Sequence, residues 1–458
     1  MKLLHVLRLY VVAGEASGDR LAARAVTSLA ALAREHGVRV EVHGVGGPAM
    51  RVSAAAADVI ASGTEGASEA GAARSSFRSL LDLSRLSVMG IGHVLLAAPR
   101  LWYMQRQVVK DIERIRPHVV LFVDFKAFNK RVAKRVQHMR RFKEGSPRTA
   151  LLQYVAPSIW AWRSSRAGSL RYASLFDEIM LLFPFERRAW NAFGIAHAFL
   201  VGSPAVEVML DARLWTALKR VSQIRQNQRE QTGSHIVLMP GSRPDELHHC
   251  MPVLTAALKR IAASCTGYTR VASVTCIVAE SVAELFSTTH LSRLVDSLTG
   301  SSVTVNVHVN TQAPESSRRI PENLKILASS DLAIVTSGTA VLEAALGSTP
   351  TVCVYLTDWL TSLIAKRRAQ VTCASIPNLI LNRTAIPELL FEQCTEDRVA
   401  QSACDLLRDE ASRKKQLHDV AIALRWLRRE HCRHYGGEVP SALVAQRILY
   451  HYNKVERR

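Results

Sequence analysis

Two short glycine turns in the C-terminal half combine residue types that bind phosphate groups. Residues 240–243 have the sequence Pro-Gly-Ser-Arg and residues 337–339 have the sequence Ser-Gly-Thr, each between a predicted strand and a predicted helix. Backbone N–H groups at a helix start lie at the positive end of its dipole and bind anions. Arg243 adds a planar cation that can hold a diphosphate through two hydrogen bonds. Glu343, one turn into the second helix, can accept hydrogen bonds from sugar hydroxyls. The alternative for each turn is an ordinary helix start in an α/β protein.

Asp124 is the candidate for acid–base chemistry. It follows the apolar residues 118–123, which predict a buried strand. Ligands of parallel sheets bind beyond the carboxyl ends of the strands, so a carboxylate there is well placed for catalysis. The alternative is an aspartate that caps the next helix. After the next predicted strand, the loop at 156–163 carries two tryptophans and an arginine that can grip a sugar or an acyl group, or pack in the core.

The elements that must position these residues alternate between strand and helix. Residues 6–13 predict a strand, residues 14–19 a glycine-rich turn and residues 38–45 a second strand, which together form a βαβ unit. The turn lacks the G-x-G-x-x-G pattern, so it predicts close approach of the backbone to a ligand more than it predicts dinucleotide binding. The polar segment 211–234 predicts a linker or surface helix before a second α/β domain that begins at His235.

Local structure is predicted in most detail around the second phosphate turn. Residues 332–335 predict a buried strand, and residues 340–346 predict a helix. Thr336 or Ser337 is expected at the helix N-cap. Gly347 is expected to end the helix.

The composition indicates a globular protein with an anionic partner. The 458 residues include 59 Lys and Arg against 39 Asp and Glu, a net charge of +20, which favours a phosphorylated substrate or an acidic membrane. Nucleic acid ranks last because no RNA-binding or zinc-finger signature accompanies the charge. The cysteines have no C-x-x-C spacing and predict buried free thiols in a reducing compartment. Without a histidine-rich cluster or a metal-binding aspartate pair, we expect no metal site and no cofactor.

An apolar segment that turns basic, residues 86–103, predicts contact with an anionic membrane surface. The expected lipid contacts are Val88, Met89, Ile91, Leu95, Leu96 and Trp102. The alternative is a pair of buried helices. No apolar run has the length of a membrane span, so the chain is expected to be soluble or peripheral, and cytoplasmic. The segments 61–78 and 311–319 predict surface loops.

Together these features predict an α/β protein with two Rossmann-like domains that face each other across a cleft. A nucleotide diphosphate would bind to the second domain and another substrate to the first. The sequence has no Walker lysine and no metal-binding pair. It therefore fits best a metal-free nucleotide-sugar transferase of the GT-B class, in which helix dipoles and Arg243 stabilise the departing diphosphate.

Eight motifs in this chain resemble those of the lipid-A-disaccharide synthases, in family order and over almost the whole length. They are V-A-G-E-A-S-G-D at 12–19, S-V-M-G-I at 87–91, Y-V-A-P-S-I-W-A-W-R at 154–163, F-P-F-E at 183–186, P-G-S-R at 240–243, T-S-G-T-A-V-L-E at 336–343, S-I-P-N-L at 375–379 and P-E-L-L at 387–390. The resemblance implies a GT-B fold with an acceptor- and membrane-facing domain at 1–205 and a UDP-sugar domain at 206–400. The helices at 401–458 would return to the N-terminal domain.

The resemblance also implies an inverting, metal-independent transferase at the cytoplasmic face of the inner membrane. It would join UDP-2,3-diacylglucosamine to 2,3-diacylglucosamine 1-phosphate (lipid X), giving a β-1,6-linked disaccharide 1-phosphate and UDP. A homodimer is left open. Asp124 would be the general base. The implied donor-binding residues are Ser242, Arg243, Ser337, Gly338, Thr339, Glu343 and Asn378. Those implied to face the acceptor or the reacting sugar are Gly14, Glu15, Ser17, Asp19, Ser158, Trp160, Arg163 and Ser203.

The chain departs from the family pattern at four positions near the predicted cleft. Ala127 stands where a second aspartate is usual, and Ser203 stands for the histidine of Gly-His-Pro. Leu356 replaces a basic residue, and His93 replaces an acidic one. Two alternatives stay open: another UDP-sugar enzyme of this architecture, such as an N-acetylglucosaminyl transferase or an epimerase, and a catalytically impaired, membrane-associated UDP-sugar binder. Binding of UDP without transfer would favour the binder.

Overall fold

Two parallel β-sheets form the framework of the chain. The computed structural model describes residues 5–62, 77, 79–81, 91–142, 148–310 and 320–457. The strands in these ranges are β1 His5–Ala13, β2 Val38–Val45, β3 Val119–Val123, β4 Ala150–Tyr154, β5 Glu178–Leu181, β6 Ala198–Leu200, β7 Ser234–Met239, β8 Val271–Ala279, β9 Thr304–Asn310, β10 Leu332–Thr336, β11 Thr351–Tyr355 and β12 Glu388–Leu390. Within the described residues they form two six-stranded sheets, ordered β2-β1-β3-β4-β5-β6 and β12-β11-β10-β7-β8-β9. The paired strands are parallel, so the predicted pair of Rossmann-like sheets is confirmed.

Helices connect the strands and cover the sheets. They are α1 Ala16–Glu35, α2 Pro48–Ser62, α3 Ile91–Ile115, α4 Lys126–Phe142, α5 Arg166–Ala173, α6 Pro184–Ala192, α7 Pro204–Leu210, α8 Ala212–Thr232, α9 Pro244–Ser264, α10 Ala283–Leu285, α11 Leu291–Ser297, α12 Glu322–Ala328, α13 Thr339–Gly347, α14 Trp359–Arg368, α15 Ile376–Leu381, α16 Glu396–Arg408, α17 Glu410–Tyr435 and α18 Pro440–Glu456. The predicted helix at 211–234 is α8. The described helices include none with the length and apolarity of a membrane span.

Strand β1 shows why these strands are continuous apolar runs. Leu7 and Leu9 pack into a core with α1, α2 and α18 on one face of the first sheet. Tyr10 and Val12 pack into a second core with α3 and α4 on the other face. Helices cover both faces of this parallel sheet, so the residues that point to either face are apolar. The strand is therefore a continuous apolar run. The second sheet is buried in the same way on its two faces.

Free thiols fill part of the second core. All eight cysteines are free, and all except Cys373 and Cys432 are buried. Cys250 and Cys276, for example, pack with the apolar side chains of α9 and β8. The prediction of buried free thiols is therefore confirmed for six of the eight cysteines, and the reducing compartment stays a prediction.

The chain end returns to the first sheet through α18. Buried Glu178 on β5 receives hydrogen bonds from Arg447 Nε (2.7 Å) and His451 Nε2 (3.0 Å), both on α18. Helix α16, in contrast, packs in the core of the second sheet. The expected return of the last helices is thus made by α18, while the boundaries at 205/206 and 400/401 stay predictions.

Removing the Glu178 carboxylate is expected to destabilise the protein in a pH-dependent way. Glu178→Ala leaves buried His451 and partly buried Arg447 without their acceptor, which costs about 1–3 kcal/mol of unfolding free energy. Burial opposes ionisation of Glu178, but hydrogen bonds from His451 and Arg447 outweigh it and lower its pKa. A lowered pKa stabilises the fold above the unfolded-state pKa, about 4.3, and this stability is lost as pH falls through the folded-state pKa.

Urea unfolding at neutral pH and at acid pH measures this effect. The parent and Glu178→Ala should differ at neutral pH and converge in acid. As control, Asp397→Ala breaks an exposed ion pair with Arg260 and should cost less than about 1 kcal/mol. Equal stability of the parent and Glu178→Ala at neutral pH would contradict the prediction.

Candidate active site

Main-chain hydrogen bonds join the two domains beside the ends of their strands. The loop after β4 meets the segment after α14, where Arg163 N–H donates to the Arg368 carbonyl (2.7 Å) and Gln370 N–H donates to the Ala161 carbonyl (2.9 Å). Trp162 and Ala369 pair between them as an antiparallel bridge. These contacts hold the two sheets so that the segments after their carboxyl ends line a shared cleft.

A carboxylate–guanidinium pair spans this cleft. Arg243, the N-cap of α9 after β7, donates through Nη2 to Oε2 of Glu15 (2.8 Å), which follows β1. Its Nη1 donates to Oε1 of Glu246 (2.9 Å), and the Ser242 N–H donates to Oε2 of the same glutamate (2.9 Å). In this structure two carboxylates therefore occupy the donors for which the sequence predicts a diphosphate. An incoming diphosphate would compete with them.

Asp124 lies beside this pair. It follows β3 in the left-handed region of backbone conformation, with φ +49°, and Phe125 follows with φ +41°. Burial and the negative charge of Glu15 raise the pKa of Asp124 to about 6, although Arg243 acts in the opposite direction. A base with a pKa near neutrality is well matched to proton transfer at physiological pH. The structure thus brings together Asp124, Glu15 and Arg243, which the sequence placed in separate motifs.

Gly14 allows the ends of β1 and β3 to approach each other closely. A Cβ atom at Gly14 would lie 2.3 Å from Cδ1 of Phe125, closer than any side chain tolerates. The sequence predicts that a ligand approaches this turn, and the structure shows instead that the ring of Phe125 fills the space. The absence of a side chain at Gly14 lets the β3 end, with Asp124, pack against the β1 end, with Glu15.

Two buried amides that sequence reasoning missed hold the backbone at Asp124. Gln153, near the carboxyl end of β4, donates from Nε2 to the carbonyls of Asp124 (3.1 Å), Tyr154 (3.1 Å) and Val155 (3.2 Å). Asn129 donates from Nδ2 to the Asp124 carbonyl (2.7 Å). Val155 is also left-handed, with φ +68°. Such backbone costs energy in non-glycine residues and persists only where surrounding contacts hold it. For Gln153, the sequence signal was a single polar residue inside an otherwise apolar strand.

Loss of the Gln153 amide is expected to slow the reaction without weakening substrate binding. Gln153→Leu fills a similar volume but donates no hydrogen bond, so the backbone that aims Asp124 can relax. A small misplacement of a reacting group costs roughly tenfold to a hundredfold in rate. We expect kcat to fall by this amount, KM for the donor to change little, and the acid limb of the pH profile to move. Steady-state kinetics against pH measures all three.

The matched control for Gln153→Leu is Gln105→Leu, which removes an equally buried glutamine from α3. If both variants lose activity in proportion to their stability, or if Gln153→Leu keeps the parent kcat, Gln153 does not position Asp124.

At the second glycine turn the helix N-cap lies later than predicted, although α13 itself begins at Thr339, one residue before the predicted start. The N-cap is Gly338, with φ +142°, and not Thr336 or Ser337. The Ser337 N–H is used within the sheet, donating to the Val354 carbonyl (3.0 Å). Gly338 and Thr339 are exposed, so the start of α13 is open to an anion. The helix includes Gly347 and ends at left-handed Ser348.

Two residues predicted to bind the UDP-sugar donor form hydrogen bonds within the protein in this structure. Glu343 accepts a hydrogen bond from Nδ2 of Asn323 (2.7 Å). Asn378 is fully buried, with its amide donating to the Ile386 carbonyl (2.8 Å) and to Glu388 (2.7 Å), and its oxygen accepting from the Ile386 N–H (2.9 Å). Asn378 therefore ties the segment before β12 together, and its contact with a donor stays a prediction.

Some predicted acceptor-side residues cap or brace the scaffold. Helix α1 begins at Ala16, so Asp19 is not in a turn. Its buried carboxylate accepts from the N–H groups of Gly47 (2.6 Å) and Ala49 (3.0 Å) at the start of α2. Buried Ser203 caps α7. In this structure neither side chain lies open to a sugar.

The remaining predicted residues of this side lie nearer to solvent. Trp160 is partly buried and donates from Nε1 to Glu186 (3.0 Å). Ser17 and Ser158 are partly buried, and Arg163 is exposed. The structure brings Gly14 and Glu15 to Asp124, and contact of the others with an acceptor stays a prediction.

The predicted lipid contacts are only partly covered by the structure. Val88 and Met89 lie outside the described residues, and at Ile91, Leu95 and Leu96 the backbone of α3 is described but not the side chains. Trp102 is exposed, with the Arg106 guanidinium 4.4 Å from its ring centroid. Lipid contact by this segment stays a prediction.

No group of three or more His, Cys, Asp or Glu side chains in the described ranges is arranged to hold a metal ion.

Comparison with known proteins connects this geometry to a family. The chain matches the model of the family described as lipid-A-disaccharide synthetase over residues 63–436. The lipid-A-disaccharide synthase of Myxococcus xanthus is 30% identical over 414 residues, covering 90% of this chain and 91% of that protein.

Solved structures show the same architecture at low identity. A glycosyltransferase from Rickettsia africae has a TM-score of 0.50 at 10% identity, covering 100% of both chains. A UDP-GlcNAc 2-epimerase from Neisseria meningitidis bound to UDP-GlcNAc has a TM-score of 0.50 at 11% identity, covering 94% of this chain and 100% of that one. The predicted GT-B fold is confirmed. Because a transferase and an epimerase share it, the fold alone does not select a reaction.

Proposed function

This chain belongs to the lipid-A-disaccharide synthetase family, and we propose that it transfers a diacylglucosamine unit from UDP to an acylated sugar phosphate in lipid A biosynthesis. The substrates would be UDP-2,3-diacylglucosamine and 2,3-diacylglucosamine 1-phosphate, and the products a β-1,6-linked disaccharide 1-phosphate and UDP. The observation that carries the proposal is the meeting of Asp124, Glu15 and Arg243 between the two domains.

The second domain supplies the charge for the departing UDP. Arg243 presents guanidinium N–H groups into the cleft, and the exposed start of α13 at Gly338 and Thr339 offers backbone N–H groups at the positive end of a helix. Fixed donors and dipoles stabilise charge that develops on a leaving group. Ser242 and Ser337 would contribute at the edges of these two turns, with Glu343 on the ribose.

The first domain supplies the base. The acceptor hydroxyl would give its proton to Asp124 as its oxygen attacks the anomeric carbon, and the bond from that carbon to the UDP oxygen would break with its electron pair going to UDP. Attack from the face opposite the leaving group inverts the anomeric centre. The pKa of Asp124, about 6, leaves its carboxylate mostly ionised near neutral pH and basic enough to accept the proton.

Charge stabilisation by Arg243 and α13 also supports transfer without a divalent cation. In the presence of excess chelator the rate should be unchanged, and the new linkage should have the configuration opposite to that of the donor, as read by proton NMR coupling. Loss of activity with chelator, restored by Mg²⁺, would overturn this part of the proposal.

Acylated substrates would bring the proposed reaction to a membrane surface. The net charge of +20 and exposed Trp102 beside Arg106 support peripheral binding to an anionic bilayer, for which we propose the cytoplasmic face of the inner membrane. For the oligomeric state, a homodimer stays a prediction.

Acceptor-dependent release of UDP tests the proposed reaction against its alternatives. With both substrates in detergent micelles, UDP should appear only when 2,3-diacylglucosamine 1-phosphate is present. An epimerase would convert the donor without acceptor, and a binding protein would hold UDP and release no product. Either outcome would overturn the proposal despite the family match. The departures at Ala127, which is exposed on α4, and at Ser203 make this control necessary.

A further inference from the structure

Three large apolar side chains of helix α14, those of Trp359, Leu363 and Ile364, lie on the outside of the protein. Trp359 is 76% exposed, more than any other large hydrophobic residue described, and Leu363 and Ile364 are also exposed. Ser362, in contrast, is buried. A helix of a water-soluble domain normally buries its apolar stripe and exposes its polar one. The exposure of three large apolar side chains on one helix indicates that the outer face of α14 meets an apolar environment.

Positive charge accompanies these apolar side chains. The last turn of α14 contains Lys366, Arg367 and Arg368, and all three are exposed. Lys366 is paired with exposed Glu392, so Arg367 and Arg368 supply the net positive charge. Tryptophan and leucine beside lysine and arginine are typical of helices that lie in the interface of an anionic membrane. The charge complementarity selects an anionic bilayer as the occupant of this face.

The position of α14 brings this face to the cleft. The helix follows β11, whose carboxyl end faces the cleft, and the segment after it pairs with Trp162 of the first domain. Trp162 is exposed as well. Exposed apolar and basic side chains thus occur on both sides of the contact between the two domains.

We propose that α14, together with Trp162, is a membrane-docking surface on the C-terminal domain, separate from the 86–103 segment of the N-terminal domain. Docking through both domains would hold the cleft against the bilayer, where acylated substrates reside. The inference rests on the proposed function for this benefit, but the docking surface itself is measured without substrate.

Vesicle co-sedimentation of the full chain tests the proposal. The double variant Trp359→Ser/Leu363→Ser should bind vesicles of phosphatidylglycerol and phosphatidylcholine about tenfold or more weakly than the parent, because two apolar side chains lose their burial in the interface. Vesicles of phosphatidylcholine alone should bind the parent weakly. UDP affinity and the thermal unfolding midpoint should be unchanged.

The matched control is Tyr268→Ser. Tyr268 is 57% exposed in the turn before β8, at the amino edge of the same sheet, and its loss should leave vesicle binding at the parent level. Parent-level binding by the double variant, equal loss in Tyr268→Ser, or no vesicle binding by the parent would each overturn the proposal. A change of oligomeric state with vesicle binding retained would assign the face to a second copy and also overturn it.

Failure of this inference and failure of the proposed function are distinguishable. If the parent makes no disaccharide in micelles but the double variant loses vesicle binding, the docking surface stands and the function fails. If the parent makes disaccharide and the double variant still binds vesicles, the function stands and the docking surface fails.

Discussion

Asp124→Asn is expected to reduce disaccharide formation by about 100- to 10,000-fold, the usual contribution of a positioned general base. Asparagine keeps the size of the side chain and tolerates left-handed backbone as aspartate does, so the φ of +49° at this position is retained. Alanine would add backbone strain to the loss of the base. The asparagine variant therefore isolates proton transfer from folding.

Transfer kinetics in detergent micelles, with UDP affinity measured by calorimetry, separates the two roles that Asp124 can have. UDP affinity should stay within about twofold of the parent, because the lost interaction exists only as the acceptor proton moves. Retention of a tenth or more of the parent kcat/KM would show that another group takes the proton.

The pH profile of the parent follows from the same group. Burial and the charge of Glu15 raise the pKa of Asp124 to about 6, and a base works only when deprotonated. The value of kcat/KM should be constant above this pH and fall about tenfold for each pH unit below it. Glu15→Gln removes a neighbouring negative charge and should shift the acid limb to lower pH. An acid limb that does not move would show that the charge of Glu15 does not raise the pKa of Asp124.

Arg243→Ala is expected to weaken UDP binding by roughly 10- to 150-fold, since hydrogen bonds to charged groups contribute about 1.5–3 kcal/mol. The arginine also neutralises Glu15 and Glu246, with N–O distances of 2.8 and 2.9 Å. Without it these two carboxylates would repel the diphosphate, which adds to the loss. The value of kcat should fall too, because charge on the leaving UDP is no longer stabilised.

Two further variants make the Arg243 measurement specific. Arg243→Lys keeps the charge but loses the planar, two-pronged donor geometry, so its UDP affinity should lie between parent and alanine variant. Arg260→Ala removes an arginine from the same helix, where it pairs with exposed Asp397, and should leave UDP affinity unchanged. If Arg243→Ala and Arg260→Ala bind UDP equally well, Arg243 does not hold the diphosphate.

The strands were predictable because burial on both faces makes a parallel strand an uninterrupted apolar run. β1, β3 and β10 were each located to within a few residues on this basis. Helix starts were less predictable where glycine occurs inside a helix. Helix α1 begins at Ala16 and includes Gly18, so the predicted turn at 14–19 is mostly helix. A side chain at Gly18 would make only ordinary contact with Val123.

The assembled site could not be predicted because it depends on contacts between distant segments. Glu15 and Arg243 are separated by 228 positions in sequence, and their contact depends on how the two sheets face each other. The types and local settings of Asp124, Arg243 and Gly338 still indicated their chemistry. The pairing of Arg243 with two carboxylates and the amide of Gln153 beneath Asp124 became visible only in three dimensions.

The most direct test of the proposed transfer is mass-spectrometric quantification of disaccharide and UDP from the unmodified chain, given both acylated substrates and chelator. Disaccharide 1-phosphate and UDP should form in equal amounts and rise together with time. Folded protein that binds UDP but forms no disaccharide, or that releases UDP without forming disaccharide, would contradict the proposed transfer.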